Sequence, residues 1–377
     1  MFTKRKTKLK FISIKFRLRS VLFILLIIII AILYMTESNF STNDIISHVS
    51  TTPSVSVKRN DQNSITQVID INRSKQKMRC IIYLVEPLGR FANRMFMVAS
   101  AYGLARLHSC YLYLSPSIID SFKEVFIFDL SSSLLLSSST LNASIENYLI
   151  STNRTKRNIV CQYLPELSRP HAFLAGTIFE LQGYWQSYLH FAKYENELRE
   201  HVFVGKPQIL VNISKFFVDL YKYQFNVTSS FSSNDHHLLK KQISQSNFVT
   251  WVGMHIRRGD FADLNISSSA EFLFSAMKYY TSVYPNAHFL VASDDKPYCK
   301  NLFRNHSNTF LIPESFSPGE DLITLSLCQH SIVTGGTFGW WASYLANGQV
   351  MHDKVFPIGC RTSEQYYPPW FMIDYKT

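Results

Sequence analysis

Apolar residues fall into three regimes along this chain. From Ser20 to Thr36 they form one block, with VLFILLIIIIAIL at its centre and no charged side chain in 17 residues. As a helix this block rises about 25 Å, enough for a thin bilayer when the flanking residues snorkel. Residues 37–79 lose apolar periodicity and are rich in Ser, Thr, Asn, Asp and Gln, which reads as a flexible stem. Beyond Cys80 short apolar runs alternate with amphipathic ones. Ile81–Val85 and Tyr111–Leu114 read as strands around a helix from Asn93 to Leu107. Residues 131–140 and the stretch to Arg157 read as a surface insertion, and helices are expected over about 186–200 and 207–224. In the second half, strands are predicted at Phe248–Ile256, Phe289–Ala292, Phe310–Pro313 and Ser331–Thr334. Between and after them lie helices at Ala270–Tyr284, Pro297–Phe303, Glu320–His330 and Thr337–Asn347. Such alternation predicts an α/β fold with a parallel, doubly wound sheet and a ligand outside the carboxyl ends of its strands.

Length and charge refine this picture. A chain of 377 residues exceeds one ordinary core, so two lobes are expected, 80–235 and 236–377. The formal net charge of +11 suggests a nucleic-acid partner, but its distribution excludes one. Residues 1–19 hold eight Lys and Arg and no acid, leaving 30 basic against 27 acidic side chains elsewhere, a balance of +3. One-sided charge ahead of the apolar block keeps a 1–19 tail cytosolic and places everything after 36 in the lumen. No small-x-small cleavage site follows, so 20–36 reads as an uncleaved signal anchor. Eight sequons lie beyond it, at Asn39, Asn72, Asn142, Asn153, Asn212, Asn226, Asn265 and Asn305, as suits a secretory glycoprotein. Six cysteines, Cys80, Cys110, Cys161, Cys299, Cys328 and Cys360, allow up to three disulfides or buried thiols. They form no CxxC or Cys/His cluster, so no metal site is expected.

Four segments carry candidate chemistry. VGMHIRRGDF brings His255, Arg257 and Arg258 to the end of a strand. A guanidinium there suits bidentate phosphate binding; the alternative is a salt bridge to Asp260 or Asp263. One Arg is expected to meet ligand and the other to pair structurally. TGGTFGWW puts Gly336, Thr337 and Phe338 between a strand and a helix, where backbone N–H groups favour an anion. Trp340 and Trp341 read as packing residues rather than a sugar platform. At Ser293–Asp294–Asp295 a carboxylate can accept hydrogen bonds from guanine or cap a helix. LGRFANRMF offers Gly89, Arg90 and Asn93 in a loop entering a helix; the plainer reading is a tight turn capped by Asn93.

In this order LGRFANRMF, GYWQSYLHF, HIRRGDF, ASDDKPYC and EDLITLSLCQHSIVTGGTFGWWASYLANG resemble glycosyltransferase family 11, the α1,2-fucosyltransferases, from about Ile81 to Phe356. The first motif departs from the family's GRLGNQMF, with Ala92 for Gly and Arg94 for Gln. The resemblance implies a GT-B-like fold of two Rossmann-type lobes with the donor cleft between them, preceded by one transmembrane helix. It implies an acceptor-side lobe at 80–235 and a GDP-fucose lobe at 236–377. The implied activity is inverting transfer of fucose to the 2-hydroxyl of a terminal galactose, with no obligatory metal. Tail, anchor and stem fit a type II Golgi membrane protein. Carried onto this sequence, Arg257 meets the donor β-phosphate with Arg258 beside it, and His255 and Asp294 lie by the nucleoside. Gly336, Thr337 and Phe338 face the pyrophosphate, and Gly89, Arg90 and Asn93 close the cleft. Asp260 is the candidate base, with Asp263 its competitor. Another acceptor, or an inactive glycan-binding membrane protein, is the alternative.

Overall fold

The computed structural model describes residues 78–372 except 86, 87, 247, 265, 355, 356 and 358. The basic tail, the 20–36 anchor, nearly all of the stem, and Asn39, Asn72 and Asn265 lie outside the described residues. Among the described residues no helix is long and apolar enough to cross a membrane.

Two parallel sheets organise the chain. The first runs β1 (Ile81–Leu84), α1 (Phe91–His108), β2 (Tyr111–Leu114), α2 (Pro116–Lys123), α3 (Ser138–Glu146), β3 (Arg154–Ile159) and β4 (Ile178–Gly183). Its strands lie in the order β2-β1-β4-β3. Short helical turns then lead to α4 (Pro207–Phe225) and α5 (His236–Ser244). The second sheet follows with β5 (Thr250–Ile256), α6 (Gly259–Asp263), α7 (Ala270–Val283), β6 (Ala287–Ser293), α8 (Lys296–Leu302) and β7 (Thr309–Leu311). It ends with α9 (Pro318–Ser326), β8 (His330–Val333), α10 (Gly336–Ala346), β9 (Val350–His352) and β10 (Phe371–Met372). The strand order β10-β9-β8-β5-β6-β7 reverses direction between β5 and β8. That reversal opens a crevice at their carboxyl ends, because successive connections leave on opposite faces.

Burial explains why these runs became strands. Residues 251–256 of β5 are all buried, and β6 is buried at all but His288. A strand covered by helices on both faces needs apolar residues throughout rather than alternation. Ser269 caps α7 by accepting from Phe272 N, and Ser317 with Glu320 forms a capping box on α9.

An aromatic core joins the two halves. Phe96 of α1 lies 4.5 Å from Trp340 and 5.0 Å from Trp341 of α10, ring to ring. Phe191 stacks on Trp341 at 5.6 Å, and both tryptophans are fully buried. This packing sets α1 and α10 side by side. The C-terminal segment also reaches back to the first half. Cys161 is bridged to Cys360, and Ser187 Oγ donates to the Gln365 carbonyl at 2.7 Å. A second disulfide, Cys80–Cys110, ties the starts of β1 and β2. Cys299 and Cys328 are buried thiols, and burial pushes the Cys299 thiol up to about 11. Six cysteines therefore give two bridges, not three.

Three expectations need correction. The supposed insertion before Arg157 contains α3 and the start of edge strand β3, whose first five side chains are exposed and show no alternation. The expected helix over 186–200 is a series of short turns, at Tyr188–His190, Ala192–Tyr194, Glu195–Glu197 and Leu198–Val202. Its path follows burial of Trp185, Tyr188, Phe191 and Leu198 rather than a helical period. Helix α4, in the 80–235 segment, packs on the second sheet through Phe217 and Phe225 against Trp251.

Candidate active site

A cleft of about 1090 Å³ lies at the carboxyl ends of β5 and β6 and the start of α10, faced by the N-terminal turn of α1. Ten of the residues singled out from sequence line it: Gly89, Arg90, Asn93, His255, Arg257, Asp260, Asp294, Gly336, Thr337 and Phe338. Their elements explain the convergence. Strand β5 delivers His255 and Arg257, and Thr334 at the end of β8 accepts from Arg257 N at 2.8 Å. Gly336 has φ +75, so the turn into α10 passes through a conformation that side chains resist. The first N–H groups of that helix lack intrahelical acceptors.

Arg257 is the centre of the site. One prong of its guanidinium, Nη1, donates to Asp294 Oδ2; the other, Nη2, donates to Asp260 Oδ1 at 2.5 Å. Asp294 is held in turn by Arg258 N, which donates to Oδ1 at 2.8 Å. Asp260 also sits 4.0 Å from Arg90 Nη2 of the first half. Because both of these side chains are largely exposed, that contact steers more than it stabilises. Asp263, the last residue of α6, is not among the lining residues.

Arg258 is the arginine of the two that pairs structurally, away from the donor-side place the resemblance implied for it. It does not line the cleft. Its Nε donates to Asp295 Oδ2 at 3.1 Å, and its guanidinium lies 3.7 Å from the centre of the Tyr298 ring. Asp295 also caps α8, accepting from Tyr298 N at 3.0 Å. The adjacent aspartates thus divide their work, Asp294 on Arg257 and Asp295 on the helix. Asn93 does not cap α1. It points across the cleft, and its Oδ1 accepts from Thr337 Oγ1 at 2.8 Å.

His255 is buried, and burial lowers its pKa to about 4, so the ring is neutral at physiological pH. Its ring centre is 4.8 Å from that of Phe338, and its Nδ1 has no hydrogen-bond partner. Gly339 makes room for it, since a methyl there would come within 2.7 Å of His255 Nδ1.

Sequence reasoning missed two lining residues that matter. Asp321, in the first turn of α9, has a buried Oδ1 with no partner. Burial raises its pKa to about 6, opposed by Lys296 and reinforced by Glu320. Lys296 lines the same region and donates to the Pro313 carbonyl at 2.9 Å. An acid in the first turn of a helix reads as ordinary dipole compensation, so no sequence signal marked Asp321. Among the described residues no group of three or more His, Cys, Asp or Glu side chains could hold a metal ion.

Comparison with known proteins agrees with the motifs. Residues 216–352, which span β5 to β9 and the second-lobe wall of the cleft, match the family model described as Glycosyl transferase family 11. Over these residues the chain is similar to glycosyl transferase family 11. The family 11 stretch thus includes Arg257, Asp260, Asp294, Asp321 and Thr337, while Gly89, Arg90 and Asn93 lie outside it. Galactoside alpha-(1,2)-fucosyltransferase 2 of Pongo pygmaeus is 23% identical over 305 residues, 77% of this chain and 78% of that protein. The protein of the same name from Mus musculus is 24% identical over 315 residues, 78% of each. Among solved structures, an Arabidopsis thaliana FUT1 mutant in complex with GDP is similar at a TM-score of 0.45 and 13% identity. That match covers 76% of this chain and 73% of the other. Fucosyltransferase NodZ from Bradyrhizobium is similar at a TM-score of 0.43 and 14% identity, covering 71% of this chain and 92% of the other.

Proposed function

We propose that this chain is a galactoside 2-alpha-L-fucosyltransferase of GT-B-like architecture, with GDP-fucose held in the cleft between the two sheets. The observation that carries this reading is Arg257, fixed at the switch point of the second sheet opposite the open N-terminus of α10. Both face the same space, and both favour the anionic diphosphate. The family 11 match and the names of the relatives support fucosyl transfer; the galactose acceptor is the finer part of the proposal.

The reaction is a single displacement with inversion. The acceptor 2-hydroxyl oxygen attacks the anomeric carbon as the bond to the β-phosphate oxygen breaks. The electron pair of that bond goes to GDP, where Arg257 and the α10 amides meet it. The hydroxyl proton goes to Asp260. Asp260 occupies one prong of Arg257, so an arriving β-phosphate displaces it and frees the carboxylate beside the acceptor. Asp294 keeps the other prong in place. The pyrophosphate charge is met by a guanidinium and backbone amides, so no metal is required in this mechanism.

Its test is GDP release by the full-length protein in detergent with GDP-fucose and a panel of galactosides. Release dependent on a terminal galactoside is expected, and it should persist in EDTA. Loss of activity in EDTA with rescue only by Mn²⁺ would overturn the donor site proposed here; release with another acceptor alone would overturn the galactose assignment.

We further propose a single-pass type II Golgi protein with the catalytic part lumenal, supported by the uncharged 20–36 segment behind a basic tail. Asn142, Asn153, Asn212, Asn226 and Asn305 are exposed sequons, and the amide of Asn212 also donates to Glu320 Oε1 at 2.7 Å. Endoglycosidase should lower the apparent mass of the protein made in mammalian cells. An unchanged mobility beside a shifted control glycoprotein would reject the lumenal assignment.

A further inference from the structure

Asn93 has two unlike ends, and its surroundings tell them apart. Its Oδ1 accepts from Thr337 Oγ1 at 2.8 Å and from Gln186 Nε2 at 3.0 Å. Its Nδ2 donates to no described residue and lies against Gly89 at the cleft wall, where a methyl on Gly89 would come within 2.4 Å of it. Gly89 has φ +68, so a side chain there is excluded by conformation as well as by space.

The Thr337 hydroxyl cannot choose the orientation of this amide, because a hydroxyl both donates and accepts. Gln186 can. It is buried at 5% exposure, and its backbone is pinned, with Gln186 N donating to the Val160 carbonyl at 2.7 Å. The next residue is pinned too, since Ser187 Oγ donates to the Gln365 carbonyl at 2.7 Å. Gln186 thus stands at a fixed place, and there it is its Nε2 that meets the Asn93 oxygen, at 3.0 Å.

We infer that Gln186 is a positioning residue: by taking Asn93 Oδ1, it turns the Asn93 NH₂ group toward the β-phosphate of the donor. This rests on the cleft being a nucleotide-sugar site. Turned over, the amide would present an oxygen to the phosphate and repel the charge that develops there. The effect should appear in kcat more than in KM, because that charge grows in the transition state.

The test uses the full chain in detergent and compares Gln186→Met, which removes the donor, with Gln186→Glu, which can only accept. Each is made alone and in an Asn93→Ala background. A fall in kcat of about tenfold is expected for Gln186→Met, and about 10²-fold for Gln186→Glu. In the Asn93→Ala background either change should cost less than about twofold, because nothing remains to orient. Asn93→Asp is the independent check: it keeps an acceptor for Gln186 and Thr337 but removes the NH₂ group, so it should be as inactive as Asn93→Ala. Near-normal kcat in Gln186→Glu or Asn93→Asp would overturn the inference, as would equal losses with and without Asn93. If both Gln186 variants fail to fold, the Asn93→Asp result decides. A wild-type protein that neither binds GDP nor turns over GDP-fucose would overturn the underlying reading and this inference with it. A wild type that does both, with Gln186 acting independently of Asn93, would overturn the inference alone.

Discussion

Arg257→Ala should be nearly inactive in a protein that still folds. Its guanidinium is fixed by donating to two carboxylates in the cleft wall, to Asp294 from one prong and to Asp260 from the other. Removal of one preorganised stabiliser of developing negative charge costs about 10²–10³ in turnover. Arg257→Lys keeps the charge but loses the fork, and one ammonium cannot hold Asp294 and meet a phosphate together. Severe loss is therefore expected for both variants. The fold should survive, because Asp294 retains its hydrogen bond from Arg258 N and Asp260 stands open to solvent. Melting temperature, GDP affinity and kcat are the three measurements. A well-folded Arg257→Ala that transfers fucose at the normal rate would remove Arg257 from the mechanism. A large drop in melting temperature would mark it as a structural ion pair instead.

The second half of the chain was far more legible than the first. Its strands are buried on both faces, so each stands out as an apolar run between turn residues, and the site residues follow directly at the strand ends. The first sheet hides its strands. β4, IFELQG, is almost wholly buried yet carries Glu180 at its centre, which breaks the apolar signal. The carboxylate is acceptable only after pairing, when Arg154 and Lys156 of β3 come within 3.5 and 3.7 Å of it. Those partners come from an edge strand that itself looks like a loop.

The cleft shows the same division. Arg257 could be named because two adjacent guanidiniums at a strand end are unusual, but which of them faces ligand depended on Tyr298 and Asp295 taking the other. Gln186 stands in GYWQSYLHF, yet the role inferred for it rests on a contact with Asn93, 93 positions earlier. Asp294 shows the reverse case. Sequence position suited it to guanine, but its carboxylate is occupied by Arg257 and Arg258 N. Among the described residues of the cleft, the buried carboxylate oxygen without a partner is Asp321 Oδ1.

Asp321 is therefore the residue expected to read the nucleobase, by accepting from guanine N1–H and the exocyclic amino group. Two charge-assisted hydrogen bonds lost together should weaken GDP binding by about 10²–10³ in Asp321→Ala. Inosine diphosphate lacks the amino group, so the wild type should prefer GDP and the variant should bind both alike. The pH dependence has a definite sign. Burial holds the Asp321 pKa at about 6, above its value in an unfolded chain. Its contribution to stability is thus fully present below the unfolded pKa, near 4, and is lost as pH rises through 6. Removing the carboxyl should leave the melting temperature at pH 7 unchanged or slightly higher. Guanine donors favour the ionised form, so donor affinity should rise between pH 5 and 7 and level off above it. GDP-fucose is the right probe, because its phosphates are both esterified and do not titrate in that range, whereas the terminal phosphate of GDP does. Calorimetry across this range should show the rise in wild type and a flat profile in Asp321→Ala. A flat wild-type profile, or a variant that still prefers GDP over inosine diphosphate, would move base recognition to another residue.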